Sequence, residues 1–183
     1  MNVLTTPLPG LLRLVPRQFA DERGRFIVTF DQAVFDRAVG APTRFVQDNE
    51  STSHKGVLRG LHFQLPPSAQ GKLVHVVRGS VLDVCVDLRP DSPTRGGHYK
   101  QVLDPVQKEL LWIPPGFAHG FVALEDDTVF AYKCTALYDP ANERCIRWND
   151  PDLAIDWGVA DPLVSIKDAA GALFNERNWW PAA

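Results

Sequence analysis

The chain has 183 residues, 45% of them hydrophobic and 22% charged, with a formal net charge of −3. That length suits a single domain (1–183) with a substantial core, and its nineteen Lys and Arg are scattered, which excludes the basic stripe of a nucleic-acid-binding surface. No apolar run reaches the length of a membrane span, and the start, Met1 to Pro7, lacks a secretory signal pattern.

Fifteen Pro and thirteen Gly cut the sequence into short apolar pieces. In chain order, strands are predicted at 11–15, 25–30, 45–48, 57–64, 73–77, 81–88, 99–103, 110–113, 120–124 and 129–135. Two short helices are predicted, at 32–39 (with Phe35 and Val39 on one side) and at 168–174. Many short β-branched segments separated by Gly and Pro turns indicate a mainly β fold, a sandwich or barrel of antiparallel strands. Arg78-Gly79-Ser80 reads as a tight hairpin connection with Gly79 at positive φ. Cys85 falls within the apolar run 81–86, as a small buried hydrophobe. With Cys134 and Cys145 it forms an odd set without C-x-x-C, which predicts free thiols and a reducing, cytoplasmic setting. The five tryptophans, Trp112, Trp148, Trp157, Trp179 and Trp180, read as packing residues.

Segment 57–64 poses a geometric problem. Side chains alternate across a strand, so Arg59 and His62 point to opposite faces unless the strand bulges. Gly60 between them is the residue type that marks such a bulge or a close backbone approach.

Of the five histidines, His54, His62, His75, His98 and His119, some could in principle ligate a metal. Pro115-Gly116-Phe117-Ala118-His119 fits the second half of a metal-binding cupin pattern. The first half, a His-x-His pair followed by Glu, is missing, because Phe63-Gln64 follows His62 and Val76-Val77 follows His75. A set drawn from His62, His75 and His119 stays geometrically open. Without a metal, an imidazole with a reference pKa of about 6.5 is poised as a base near neutrality. Arg59 and Lys72, both close in sequence to His62, suit an anionic substrate and an enolate-like intermediate.

Seven strings occur in order: FVQDNES (45–51), VLRGLHFQ (57–64), AQGKLV (69–74), DVCVDLRPDSPT (83–94), IPPGFAHGF (113–121), YKCTALYDPANE (132–143) and WNDPDLAIDW (148–157). Together they resemble the dTDP-4-dehydrorhamnose 3,5-epimerase family. The resemblance implies a cupin-like jelly-roll β-barrel, usually a homodimer, working without metal or organic cofactor. It also implies a dTDP-4-keto-6-deoxyhexose substrate, inverted at the carbons on either side of its ketone.

Carried over by motif, His62 resembles the base, Asp168 the carboxylate that orients it, Tyr132 the acid on the opposite face, and Lys72 the cation that stabilises the enolate oxygen. Arg59 and Arg23 resemble diphosphate ligands, with the Arg23 segment supplied by the neighbouring subunit. Gln47, Asp48, Asn49, His119, Glu143 and Lys167 resemble further substrate contacts, and Tyr138 a platform for the nucleobase. Singly, each has a plainer reading: Tyr132 as core aromatic, Lys72 and Arg23 as surface charges, Asp168 as a helix cap. Three positions depart from the family pattern. Val28 stands where a Glu is usual, Thr94-Arg95-Gly96 replaces Thr-Phe-Gly, and Cys145 replaces a Gly. The tail Asn178-Trp179-Trp180-Pro181 has no counterpart. Rival readings are a catalytically silent sugar-nucleotide-binding cupin and a metal-dependent cupin isomerase or oxygenase.

Overall fold

The computed structural model describes residues 1–176 and 179–180. In chain order the strands are β1 (Asn2–Thr5), β2 (Leu12–Val15), β3 (Gln18–Asp21), β4 (Gly24–Ile27), β5 (Gln47–Ser53), β6 (Val57–Gln64) and β7 (Lys72–Arg78). They continue with β8 (Val81–Asp87), β9 (His98–Leu103), β10 (Leu110–Ile113), β11 (Phe117–Ala123), β12 (Thr128–Cys134), β13 (Glu143–Cys145) and β14 (Leu163–Val164). Helix α1 spans Gln32–Val39 and α2 spans Ile166–Ala169, with a 3-10 turn at Phe174–Glu176.

Two sheets carry the fold. One runs β1-β2-β10-β7-β12-β5, the other β13-β6-β11-β8-β9, with β14 added in parallel to β6 and every other pair antiparallel. Their facing sides share a core of Val74, Val76, Ile113 and Phe130 from the first sheet and Val81, Cys85, Phe117 and Phe121 from the second. The outer face of the second sheet (Leu58, Leu61, Val84, Val122) is covered by the C-terminal segment through Leu153, Trp157, Phe174 and Trp179. The outer face of the first packs Leu73, Leu110 and Trp112 under Phe35 of α1. Trp148 and Trp180 are partly buried against the C-terminal cluster, so all five tryptophans pack; of the tail, Asn178 and Pro181 lie outside the described residues. Among the described residues no helix is long and apolar enough to cross a membrane.

Local chemistry explains the helices. Asp31 caps α1 by accepting from the Val34 N–H at 3.0 Å, and Gly40, at φ 81°, closes it as a left-handed cap residue. The C-terminal helix is shorter than 168–174 and starts earlier. Its cap is Ser165, whose Oγ accepts from the Asp168 N–H, which frees the Asp168 carboxylate for another task.

Gly79 has the expected positive φ of 74°, but the turn is no hairpin. β7 and β8 belong to different sheets, so the chain crosses from one layer to the other there. A Cβ on Gly79 would meet the Thr128 Cα at 2.9 Å, which ties this crossing to the start of β12. The short strands β1, β3, β13 and β14 have no counterpart among the predicted strands, and other differences are matters of extent. β5 runs on to Ser53 and β11 begins three residues early, at Phe117.

The bulge at Gly60 is present. His119 pairs with His62 and Phe121 with Arg59, three steps along β6 against two along β11. The extra residue turns Arg59 and His62 to the same face, while Leu58 and Leu61 stay in the outer cluster. Gly60 sits at φ 137°, and a Cβ there would lie 2.5 Å from the Gly120 Cα and 2.9 Å from the His119 carbonyl. Both neighbours are backbone and cannot step aside. Gly60→Ala is therefore expected to destabilise the protein by about 3 kcal/mol or more, measured as a lowered denaturation midpoint; a change below about 1 kcal/mol would mean the strands separate freely here.

Candidate active site

The bulge opens onto a cavity of about 460 Å³ between the two sheets. Its walls include Arg59, His62, Lys72, His119, Tyr132, Lys167 and Asp168, with Phe121 and Phe130 as apolar lining. An adjoining cavity of about 300 Å³ shares His62, Lys72 and Tyr132 and adds Gln47, Asn49, Tyr138 and Glu143. Eleven of the thirteen candidate residues thus converge on one region.

His62 and Asp168 form its centre. The His62 Nε2–H donates to Asp168 Oδ1 at 2.7 Å, and Asp168 Oδ2 accepts from the Gly60 N–H at 3.2 Å. Burial works against the Asp168 charge, but the bonds from His62, Gly60 and Ser165 outweigh it and hold the carboxyl below its ordinary value. An ionised carboxylate on Nε2 fixes the tautomer and leaves Nδ1 as the imidazole's basic atom. Asp168 is an orienting group and not a helix cap.

Strand register places the remaining groups. On β12, Tyr132 pairs with Val74 of β7 and Cys134 with Lys72, so Tyr132 and Lys72 face the interior together. Burial raises the Tyr132 phenol above its ordinary value, which keeps it protonated at neutral pH. Burial also lowers the Lys72 ammonium, and no described residue gives it a hydrogen bond or an ion pair. A cation left without a protein partner in such a wall is suited to meet a negative oxygen.

Arg59 donates from Nε to Ser53 Oγ at 3.1 Å, which braces the guanidinium at the cavity mouth. Glu143 is ion-paired with Lys167 and accepts from the Tyr138 hydroxyl at 2.8 Å. Burial opposes the Glu143 charge, yet Lys167 and Tyr138 keep its carboxyl below the ordinary value. Gln47 accepts from the Tyr138 N–H and donates to Asn49, at 2.9 and 2.8 Å. Tyr138 itself is 54% exposed and lines the adjoining cavity.

Two candidates stand apart. Asp48 alternates to the outer face of β5, where it pairs with Lys133 at 2.9 Å, and it does not line either cavity. Arg23 sits on the separate β3–β4 ribbon, 84% exposed at its side chain and paired with Asp21, away from the cavity of its own chain. Of the departures from the family pattern, Arg95 lies 5.0 Å over the Phe174 ring and packs the C-terminal turn, while Val28 is exposed just past β4.

Ser51 and Asp83 were not singled out in the sequence. Ser51 lines the main cavity, and its Oγ, sealed from solvent, has no hydrogen-bond partner among the described residues. Its place two residues beyond Asn49 on β5 was the available signal. Asp83 accepts from His119 Nε2 at 2.8 Å, with both groups buried; its i, i+2 relation to inward-facing Cys85 would have pointed inward.

A histidine metal set is not assembled. His75 lies on β7 at odd spacing from Lys72, Val74 and Val76, hence on the outer face, near Lys108 and Lys133, and His119 is engaged by Asp83. All three thiols are free. Burial, with Asp168 nearby, pushes the Cys145 thiol up to about 12, out of the range of a nucleophile.

An oriented imidazole, a protonated phenol and an ammonium without a partner among the described residues, around one cavity, define an acid–base isomerase on a cupin-like antiparallel β fold. Residues 5–176 match the family model described as dTDP-4-dehydrorhamnose 3,5-epimerase, and the chain belongs to that family. A dTDP-4-dehydrorhamnose 3,5-epimerase of Shigella flexneri is 49% identical over 98% of this chain and 99% of its own. The crystal structure of an enzyme with the same description from Elizabethkingia anophelis superposes with a TM-score of 0.94 at 42% identity, covering 97% and 98% of the two chains. A third, dTDP-6-deoxy-D-glucose-3,5-epimerase from Legionella pneumophila, was solved with dTDP-4-keto-L-rhamnose; its TM-score is 0.91 at 46% identity, over 96% and 93% of the two chains.

Proposed function

We propose that this chain epimerises a dTDP-4-keto-6-deoxyhexose at C3, C5 or both, the carbons that flank the C4 ketone. The observation that carries the reading is the His62–Asp168 pair lining one cavity with Tyr132 and Lys72. A C–H beside a carbonyl becomes acidic when the enolate charge is stabilised, and inversion needs removal on one face and return on the other. His62 takes the proton on Nδ1, Asp168 supports the resulting imidazolium, Lys72 holds the enolate oxygen, and Tyr132 returns a proton from the opposite side.

Arg59 takes the diphosphate, a use suited to a guanidinium fork. His119, Lys167, Glu143, Gln47 and Asn49 bind the rest of the nucleotide sugar, and the Tyr138 ring stacks on the base. Each active unit is a homodimer, with Arg23 delivered to the partner's site. The lone β3–β4 ribbon exposes Phe19 and Phe26, with Val28 exposed just beyond it, and a two-stranded ribbon is marginal alone, which supports its docking on a second copy. Three free thiols suit a reducing cytoplasm. The full proton-transfer set argues against a silent binding protein.

The test is NMR of the 4-keto sugar nucleotide in deuterated water. Wild-type enzyme is expected to place deuterium beside the ketone; no incorporation at either carbon overturns the reading. Tyr132→Phe should lose inversion by about 100-fold or more while retaining exchange, because His62 can return a proton from its own side. Equal loss of both would remove Tyr132 as the acid.

A further inference from the structure

Cys145 has no part in the proton transfers and lines neither cavity, yet it is the cross-strand partner of His62 on β13 and β6. Direct cross-strand neighbours project to the same side of a sheet. Its Sγ, a ring nitrogen of His62 and a carboxylate oxygen of Asp168 all lie within 4.8 Å of one another. Among the described residues no other three His, Cys, Asp or Glu groups meet in this way.

The three come from separate elements whose backbones are tied down. Cys145 is held in the β13–β6 ladder, and its carbonyl accepts from the Ala172 N–H at 3.2 Å. Asp168 is fixed by the Ser165 cap and by Gly60. One imidazole nitrogen, one carboxylate oxygen and one sulfur match the ligand preferences of zinc and similar divalent ions. Bond lengths of about 2.0–2.3 Å bring tetrahedral ligand atoms to roughly 3.3–3.8 Å apart. Small side-chain rotations close the present triangle onto an ion, and water completes the fourth position.

We propose that His62, Cys145 and Asp168 form an inhibitory site for Zn²⁺ and chemically similar ions such as Co²⁺. The ion takes the place of the proton shared by His62 and Asp168, that proton moves to His62 Nδ1, and the thiol proton of Cys145 is released into solvent. With metal on Nε2, the neutral imidazole carries its single proton on Nδ1, the atom that would otherwise accept from the substrate carbon. The base is thereby capped from behind, with the sugar cavity left open. The inhibition rests on the epimerase reading; the ion binding does not.

Two measurements separate those layers. Co²⁺ titrated into the purified protein is expected to give a near-ultraviolet thiolate-to-cobalt charge-transfer band at one equivalent, erased by Zn²⁺ and missing in Cys145→Ser. In the turnover assay, micromolar Zn²⁺ is expected to inhibit wild type reversibly, with recovery in chelator. Cys145→Ser, as active as wild type without metal, should need at least about tenfold more Zn²⁺; Cys145→Ala is measured beside it so that one unstable variant decides nothing. No band in wild type, a band that survives both substitutions, or equal Zn²⁺ sensitivity overturns the site. Inactivity of metal-free wild type on the keto sugar, with the cobalt band intact, would instead overturn the epimerase reading alone.

Discussion

His62→Ala is expected to abolish deuterium incorporation at every carbon that the wild-type enzyme epimerises, and to lower kcat by about 1,000-fold or more. A positioned general base contributes roughly 100- to 10,000-fold. His62 stands at the top of that range because its orientation is set on both sides, by the Asp168 carboxylate at 2.7 Å and by the β6–β11 register opposite His119. No second base shares its place: His119 is engaged by buried Asp83 and His75 lies on the outer face. Single-turnover NMR in deuterated water reads the outcome. Exchange persisting at either carbon would assign that carbon to a different base.

Lys72→Met should cost about 100- to 1,000-fold in kcat, the scale of losing one preorganised donor to a developing oxyanion. The side-chain volume is kept, so the loss isolates the charge. The pH profile gives a second signature. Burial lowers the Lys72 ammonium, so its charge disappears as pH rises through a value below the ordinary lysine pKa of about 10.4. Tyr132 is shifted the other way and stays protonated longer. The alkaline limb of kcat/KM therefore belongs to Lys72 and should vanish in Lys72→Met. A variant within threefold of wild type, with the limb unchanged, would take Lys72 out of the chemistry.

Much of the site was legible because its residues lie on strands whose period is simple. Gln47 and Asn49 alternate inward, as do Lys72 with Val74 and Tyr132 with Phe130. The same rule puts Asp48 on the outer face. Gly60 flagged the one break in the pattern, since a glycine inside an apolar strand is tolerated mainly where backbone approaches backbone. The helix at 168–174 was misplaced because Ser165, not Asp168, supplies the cap. Two residues carry the same chemistry within one turn, and local sequence does not say which side chain turns back on the helix.

By itself the sequence determined a mainly β chain with inward-facing polar residues on apolar strands, and the ordered strings that mark its family. These are local properties, written in alternation and turn chemistry. Only the tertiary structure decided that the Gly79 turn joins two sheets, that Asp168 crosses 106 residues of sequence to reach His62, and that Cys145 stands beside them both. Each of those depends on which strands pair and in what register. That choice is made by burial of the whole core, because no short segment contains both partners of a long-range contact.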